Sequence, residues 1–349
     1  MAEGIRRRRA ICIMAAAVGL PLLGVSSAAR ATAQPVVWTG QALGASATII
    51  LNVEDRDKAA RLIRQVVAEV SRLEDVFSLY RPHSALSELN RTGALAAPPS
   101  ELVALLKASR SFYDATGGLF DPTVQPLFAL YARHFSALAA DPAGPSEHAR
   151  QTVLARIGFD AVLFNRDRIA FARPDMALTL NGIAQGYITD RVVELLQNEG
   201  ISSSLVNMGE DRAIGSKPDG SAWRIGLAQS EAASVPDAVV TIINRAVATS
   251  SAAGFRFDAK GRFGHILHPR LGSIQERFAR MTVVASDAVT ADGLSTAFNL
   301  MTEDQIHDHA ARMPDITVDL VALGGGSSRV GHILRTGRAS PSKQPKPLF

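Results

Sequence analysis

Met176-Ala177-Leu178-Thr179-Leu180-Asn181-Gly182-Ile183-Ala184-Gln185-Gly186-Tyr187 is the stretch on which the fold reading turns. Met176 to Leu180 reads as a short strand, Asn181-Gly182 as a turn, and Ile183 to about Asn198 as a helix. Glycine at the turn lets a ligand approach the backbone, and the amides of the first helical turn favour an anion. A strand passing through glycine into a helix also suits a doubly wound sheet, so the flanking pattern decides. Upstream, Ala47 to Val53 is a β-branched and apolar run, a strand. Asp55 then precedes a long helix with Leu62, Ile63, Val66, Val67, Val70 and Leu73 on one face. Two prolines and Ser100 open a second helix that runs to about Asp114. Asp141-Pro142-Ala143-Gly144-Pro145 is a breaker cluster and the best internal linker candidate. Beyond it come a helix over about 146–157 and a hairpin turning at Asn165-Arg166-Asp167. Residues 203–285 read as short strands with turns at Pro218-Asp219-Gly220 and Lys260-Gly261-Arg262. A last helix begins near Asp287, and Ile316 to Leu323 closes as a strand. Strands and helices mix without a βαβ rhythm, which points to α+β layers.

The start of the chain carries an export signal. Arg6, Arg7, Arg8 and Arg9 precede an apolar stretch from Ala10 to Leu23, and Ala31-Thr32-Ala33 is a small-x-small cleavage site. The apolar stretch is shorter than the ~20 residues a membrane-spanning helix needs. The arginine pair ahead of Ala10, Ile11 and Cys12 resembles a twin-arginine signal, with cleavage expected after Ala33 and a periplasmic product. Residues 1–33 hold five arginines and one glutamate of the chain's 37 basic and 33 acidic residues. The remainder is balanced at 32 of each, so the basic character belongs to the signal and argues for no nucleic-acid partner. The only cysteine, Cys12, leaves with the signal, so the mature chain forms no disulfide. Residues 34–337 are expected to form the working domain, with no membrane span, and 338–349 a flexible tail.

Six segments are polar or glycine-rich where a plain scaffold needs neither. They are Tyr80-Arg81-Pro82-His83-Ser84, with Glu88, Leu89 and Asn90 soon after; Thr116-Gly117-Gly118-Leu119-Phe120-Asp121-Pro122-Thr123; and Leu180 to Tyr187. Val206-Asn207-Met208-Gly209-Glu210-Asp211 follows, then Gly264-His265-Ile266-Leu267-His268-Pro269-Arg270, and Ser286-Asp287 with Ala291-Asp292-Gly293-Leu294-Ser295-Thr296. Asp292 and Thr296 stand four apart on the surface of the expected helix, so their oxygens share a face. A carboxylate, a hydroxyl and a nearby carbonyl make a hard-oxygen site of the kind Mg²⁺ completes with phosphate oxygens and water. On spacing alone the plainer alternative stays open: Asp292 favours an early helical turn through the dipole, and Thr296 packs. His265 and His268 on spacing alone are surface or satisfied histidines, and no zinc-type Cys/His spacing occurs.

The six segments in this order resemble the ApbE family, the FAD:protein FMN transferases, from about Val36 to about Leu323. The specific pieces are Tyr-Arg-Pro-x-Ser, Gly-Gly-x-Phe-Asp-Pro-Thr, Gly-Ile-Ala-x-Gly-Tyr, the His-Ile-x-x-Pro-Arg turn and Ala-Asp-x-Leu-Ser-Thr-Ala. The arginine start and the Leu180–Tyr187 segment look like the NosX branch, associated with maturation of nitrous-oxide reduction. The resemblance implies a two-lobed, T-fold-like α+β architecture with FAD between the lobes and its pyrophosphate against a divalent metal, Mg²⁺. It implies that a threonine of an acceptor protein attacks the FMN-side phosphate, AMP leaves, and FMN stays linked through a phosphoester. The implied acceptor is a membrane-bound flavoprotein of the nitrous-oxide reductase system.

Carried across residue by residue, Asp292 and Thr296 match metal ligands, with the Gly182 carbonyl as backbone ligand and the Ala184 region its alternative. Leu43, Tyr80, Leu119, Phe120, Asp121, Thr179, Gln185, Asp211 and Ile266 fall around the FAD, and His265 is the candidate general base. Leu43 lies about where the family has a flavin-side methionine. The chain departs from the family pattern at Thr179, Asn181 and Gln185, where Asp, Gly and Lys are common. It departs again at Glu210 (a glycine) and His268 (an Asp). The pocket so loses a carboxylate and a cation that neither Asn nor Gln replaces in charge. A carrier that binds FAD without transfer, and an FAD pyrophosphatase in which water replaces the threonine, are the alternatives.

Overall fold

The computed structural model describes Leu20, Pro21 and residues 34–228, 235–251 and 254–331. The expected signal, apart from Leu20 and Pro21, and the expected tail lie outside the described residues. Eight antiparallel strands form the central sheet: β2 (Val36–Ala42), β3 (Ala45–Leu51), β7 (Ser204–Asn207), β8 (Asp211–Ile214), β11 (Ala246–Ser251), β12 (Phe278–Ala285), β13 (Thr317–Ala322) and β14 (Ser327–Gly331). Their order across the sheet is β14-β13-β12-β11-β8-β7-β3-β2. β9 (Trp223–Leu227) and β10 (Ala238–Ile242) pair in a small sheet whose other edge is β1 (Leu20–Pro21). Trp223, Ile225, Val240 and Ile242 of this sheet pack with Ile50, Leu205, Val247 and Val284, burying one face of the central sheet. A third sheet joins β4 (Ala94–Ala96), β5 (Val162–Phe164) and β6 (Arg168–Phe171). The mixture of helices with antiparallel sheets is the α+β class expected.

Helices cover the opposite face. α1 (Arg56–Phe77) starts at Asp55, whose carboxylate accepts from the Asp57 and Lys58 amides. Leu62, Val66, Val70, Leu73 and Phe77 are its buried stripe, while Val67 is 44% exposed, a position to which the sequence stripe had extended one residue too far. α3 (Ser100–Ala115), α6 (Ala184–Asn198) and α7 (Ala288–Phe298) stack beside it, and α8 (Glu303–Ala311) covers the far end. α2 (Ala85–Thr92) was not expected as a helix; Ser84 caps it by accepting from Ser87, and Gly93 ends it with φ +76°. α4 (Gln125–Ser136) was also missed; its Phe128 and Tyr131 pack against Phe257 and Phe263 in a cluster that α5 (Glu147–Leu154) joins through Val153.

Two expectations are corrected. Met176–Leu180 joins no strand: both backbone groups of Leu178 bond the Asn90 carboxamide (2.7 and 2.8 Å), and the Thr179 amide donates to Pro122 O at 2.8 Å. A side chain here satisfies the main chain as a neighbouring strand would. Asp141–Pro145 is no linker, because Asp141 closes a turn on Ala143 and Gly144 lies against the Phe263 ring, inside the cluster that α4 and α5 share.

α6 and α7 cross where the site forms. A Cβ on Gly186 would stand 2.4 Å from the Ala288 carbonyl oxygen and 2.9 Å from Asp292 Cβ. Asp190, on α6, accepts from the Ala288 and Val289 amides (2.8 and 3.0 Å) and pairs with Arg212, so α6 caps the start of α7. Alanine normally gains ~1 kcal/mol over glycine within a helix. Here it would press on backbone that cannot give way, and overpacking costs ~1–3 kcal/mol. Gly186→Ala is therefore expected to lower the urea midpoint; a raised midpoint would contradict this crossing.

Candidate functional site

A largely apolar cavity opens beside that crossing. Its wall holds Leu119, Phe120, Asp121, Pro122, Val124 and Phe128 from one stretch, Thr179, Asn181 and Gly182 from the turn before α6, and Ser250 and Ser251 from β11. His265, Ile266 and Leu267, and Thr296 and Leu300, complete the lining. The expected residues Leu119, Phe120, Asp121, Thr179, Gly182, His265, Ile266 and Thr296 thus share one wall although they span some 180 positions of chain.

Local geometry explains each placement. Asp121 caps the 3-10 turn Pro122–Val124, accepting from the Thr123 amide (2.8 Å) and hydroxyl (2.5 Å). Its burial pushes the carboxyl above the usual carboxylate range, against those hydrogen bonds. Asp287 caps α7 by accepting from Thr290, and one helical turn then separates Asp292 from Thr296. Both face α6. The Gly186 amide donates to Asp292 Oδ2 at 3.0 Å, while a Cβ on Gly182 would meet Thr296 Oγ1 at 3.0 Å. The glycines at 182 and 186 therefore match Asp292 and Thr296 one turn apart on the facing helix.

Asp292 is not the surface residue the sequence suggested. It is 2% exposed and lies behind the cavity wall, because α7 is buried against both the sheet and α6. Burial drives its carboxyl well above the ordinary carboxylate range, the Gly186 amide opposing this and Asp190 adding to it. Glu210 is also buried and pushed well up, by desolvation first and then by the charges of Asp292 and Asp211. Gln185 lies against Gly209, next to Glu210, and Thr189 Oγ1 bonds the carbonyls of both Gln185 and Glu210. Gln185 Oε1 and Glu210 Oε2 are buried without a hydrogen-bond partner among the described residues. Asp292, Thr296 and the Gly182 carbonyl are a carboxylate, a hydroxyl and a turn carbonyl, the oxygen types a hard cation takes. No group of three His, Cys, Asp or Glu residues forms a metal cluster among the described residues, so a cation here needs ligand oxygens or water to fill its shell.

His265 is held at one nitrogen: Nδ1 stands 3.0 Å from the Phe255 carbonyl. Burial pushes its pKa below the usual imidazole value, which keeps the ring neutral. The other expected residues stand outside the cavity wall. Leu43 takes a left-handed turn (φ +49°) with its amide on Glu74 Oε1, and Tyr80 is 54% exposed beyond Ser78. Asp211 is buried with Asn207 Nδ2 donating to it at 2.9 Å, and burial lifts its carboxyl to about 7. Sequence reasoning missed Ser250, Ser251, Phe128 and Leu300. Ser250 bonds Ser295 across to α7 at 2.8 Å, a strand-to-helix contact with no local signature in the sequence.

An antiparallel sheet roofed by helices thus carries an apolar cavity beside a buried acidic helix crossing. The model of the ApbE family matches residues 43–319, and the chain belongs to that family. It is similar to the FAD:protein FMN transferase of Vibrio cholerae, 30% identical over 250 residues, 68% of this chain and 73% of the relative. The FAD:protein FMN transferase of Salmonella typhimurium is 27% identical over 311 residues, 84% of this chain and 86% of that one. Among solved structures, the apo flavinyl transferase ApbE of Pseudomonas stutzeri superposes with TM-score 0.71 at 27% identity, covering 85% of this chain and 95% of its own. The ApbE protein of Thermotoga maritima gives 0.75 at 27% identity, with 85% and 97% covered.

Proposed function

We propose that this protein moves FMN from FAD onto a threonine of a partner protein and releases AMP. The observation that carries the reading is the cavity wall on which His265, Gly182 and Thr296 meet, with Asp292 directly behind it, in an ApbE-family chain. The acceptor hydroxyl oxygen would form the new bond to the FMN-side phosphorus as the phosphorus–oxygen bond to AMP breaks. His265 Nε2 would accept the hydroxyl proton, being the nitrogen that Phe255 does not engage. Leu119, Phe120, Phe128 and Leu267 offer the apolar surface a flavin ring needs, and exclude water around it. Asp292, Thr296 and the Gly182 carbonyl would hold Mg²⁺, which when bound offsets charge gathering on the transferring phosphate.

Incubation with FAD, Mg²⁺ and a candidate acceptor domain tests this. Flavin fluorescence that stays with the acceptor through denaturation supports transfer; AMP with unattached FMN indicates a pyrophosphatase; neither product indicates a carrier.

Within this reading the protein works in the periplasm, on a membrane-bound flavoprotein of the nitrous-oxide reduction system, as the NosX-like start and Leu180–Tyr187 suggest. No helix among the described residues is long and apolar enough to cross a membrane. Replacing Arg8 and Arg9 with lysine is expected to leave an uncleaved precursor in the cytoplasmic fraction. Normal processing of that double variant, followed by immunoblot, would remove the twin-arginine assignment.

A further inference from the structure

We propose that Gly254 and the Phe255 carbonyl position His265, fixing which ring nitrogen carries the proton and where the other one points. This rests on the reading of His265 as proton acceptor. A carbonyl oxygen only accepts, so the 3.0 Å contact requires the hydrogen on Nδ1. A neutral imidazole carries one such hydrogen, and the lone pair is then left on Nε2. Burial favours the neutral ring, with the Arg256 charge adding to it and the Phe255 hydrogen bond opposing it.

The carbonyl is itself anchored. Arg256 and Gly264 form an antiparallel bridge, which sets the distance between the neighbouring Phe255 and His265. The Arg256 guanidinium donates to Glu276 Oε1 at 2.6 Å, and the Phe255 ring packs against Phe257 and Phe128, the latter on the cavity wall. The aromatic cluster under α4 therefore holds the group that orients the histidine.

Gly254 leaves room for the ring. A Cβ there would lie 2.6 Å from His265 Cε1, 3.4 Å from Nδ1 and 3.2 Å from the Ser251 carbonyl oxygen. The backbone at Gly254 is not in the left-handed region, so glycine is needed here for space and not for conformation. Cε1 joins the two nitrogens, so displacing it takes Nδ1 off the carbonyl and re-aims Nε2 together. The Ser251 carbonyl is a tight but tolerable neighbour on the other side, and the far closer contact with Cε1 makes the ring the part expected to move.

Gly254→Ala is the test, measured on the full mature chain with FAD and acceptor. The expected result is unchanged FAD affinity by fluorescence titration with kcat lowered ~10²-fold, the loss that a misplacement of about 1 Å can cause. Its acid limb in kcat against pH should move toward the ordinary histidine value as the ring leaves its buried seat. Nitrogen NMR of the His265 ring in the wild type should show the Nδ1–H form, and in Gly254→Ala a mixture. An Nε2–H form in the wild type, or a Gly254→Ala protein with wild-type kcat, overturns the proposal. Should Gly254→Ala not fold, as its melting curve would show, the wild-type tautomer still decides. A wild type that shows the Nδ1–H form yet transfers no FMN overturns the functional reading and leaves the positioning intact.

Discussion

His265→Gln is expected to lower FMN transfer by ~10²–10⁴, the contribution of a positioned general base. Glutamine keeps a donor for the Phe255 carbonyl and approximates the ring's length, but it offers no basic lone pair near neutral pH. FAD binding should persist, because Leu119, Phe120, Phe128, Leu267 and Leu300 still line the cavity. The pH profile separates loss of the base from loss of structure. Only neutral His265 can accept a proton, so the wild-type rate falls as pH drops through its pKa. Burial lowers that pKa, so the wild type should stay active below the ordinary imidazole value of about 6.5 before its acid limb begins. The variant should show no such limb. Initial rates of covalent flavin fluorescence across pH measure both, and a variant that keeps the limb would assign the base to another group.

Much of this arrangement was legible because the signals are local. Asp55, Asp287 and the Asn165 turn announce their elements through side chains that bond amides two or three residues on. The α6 boundary followed from glycine and periodicity in one short stretch. Met176–Leu180 misled because an apolar run reports burial, not its hydrogen-bond partner, and that partner is Asn90, 88 residues away. α4 was missed because its aromatic residues pack against a loop more than a hundred positions downstream, so its sequence carries little surface-facing polarity to reveal a period. The site shows the same division. Asp292 and Thr296 were visible as a pair at helical spacing. Their depth was not visible, since it depends on Gly186 of α6 and Gly182 of the turn before it, and neither was the arrival of Ser250 from β11.

That depth changes what Asp292→Asn should do. Asparagine retains an oxygen for the Gly186 amide and nearly the same volume, so the α6–α7 crossing keeps its contact. It removes a charge that is costly to bury, and the metal-free protein should not melt below the wild type on that account. The loss should fall on the cation. With one carboxylate gone from a set otherwise made of a hydroxyl and a backbone carbonyl, Mg²⁺ affinity should drop, and the phosphate charge that it offsets would go uncompensated. Removing one such electrostatic contact costs ~3–4 kcal/mol, about 10²–10³ in rate. If Asp292 served only the helix dipole, the change would cost under about 1 kcal/mol of stability and leave transfer intact. The two roles therefore move different quantities: one shifts the Mg²⁺ concentration for half-maximal transfer and abolishes melting stabilisation by Mg²⁺ with FAD, the other shifts the melting temperature alone. Transfer rates against Mg²⁺, with melting curves of both proteins with and without cation, distinguish them. Unaltered transfer with unaltered Mg²⁺ dependence in Asp292→Asn would remove the carboxylate from the cation site.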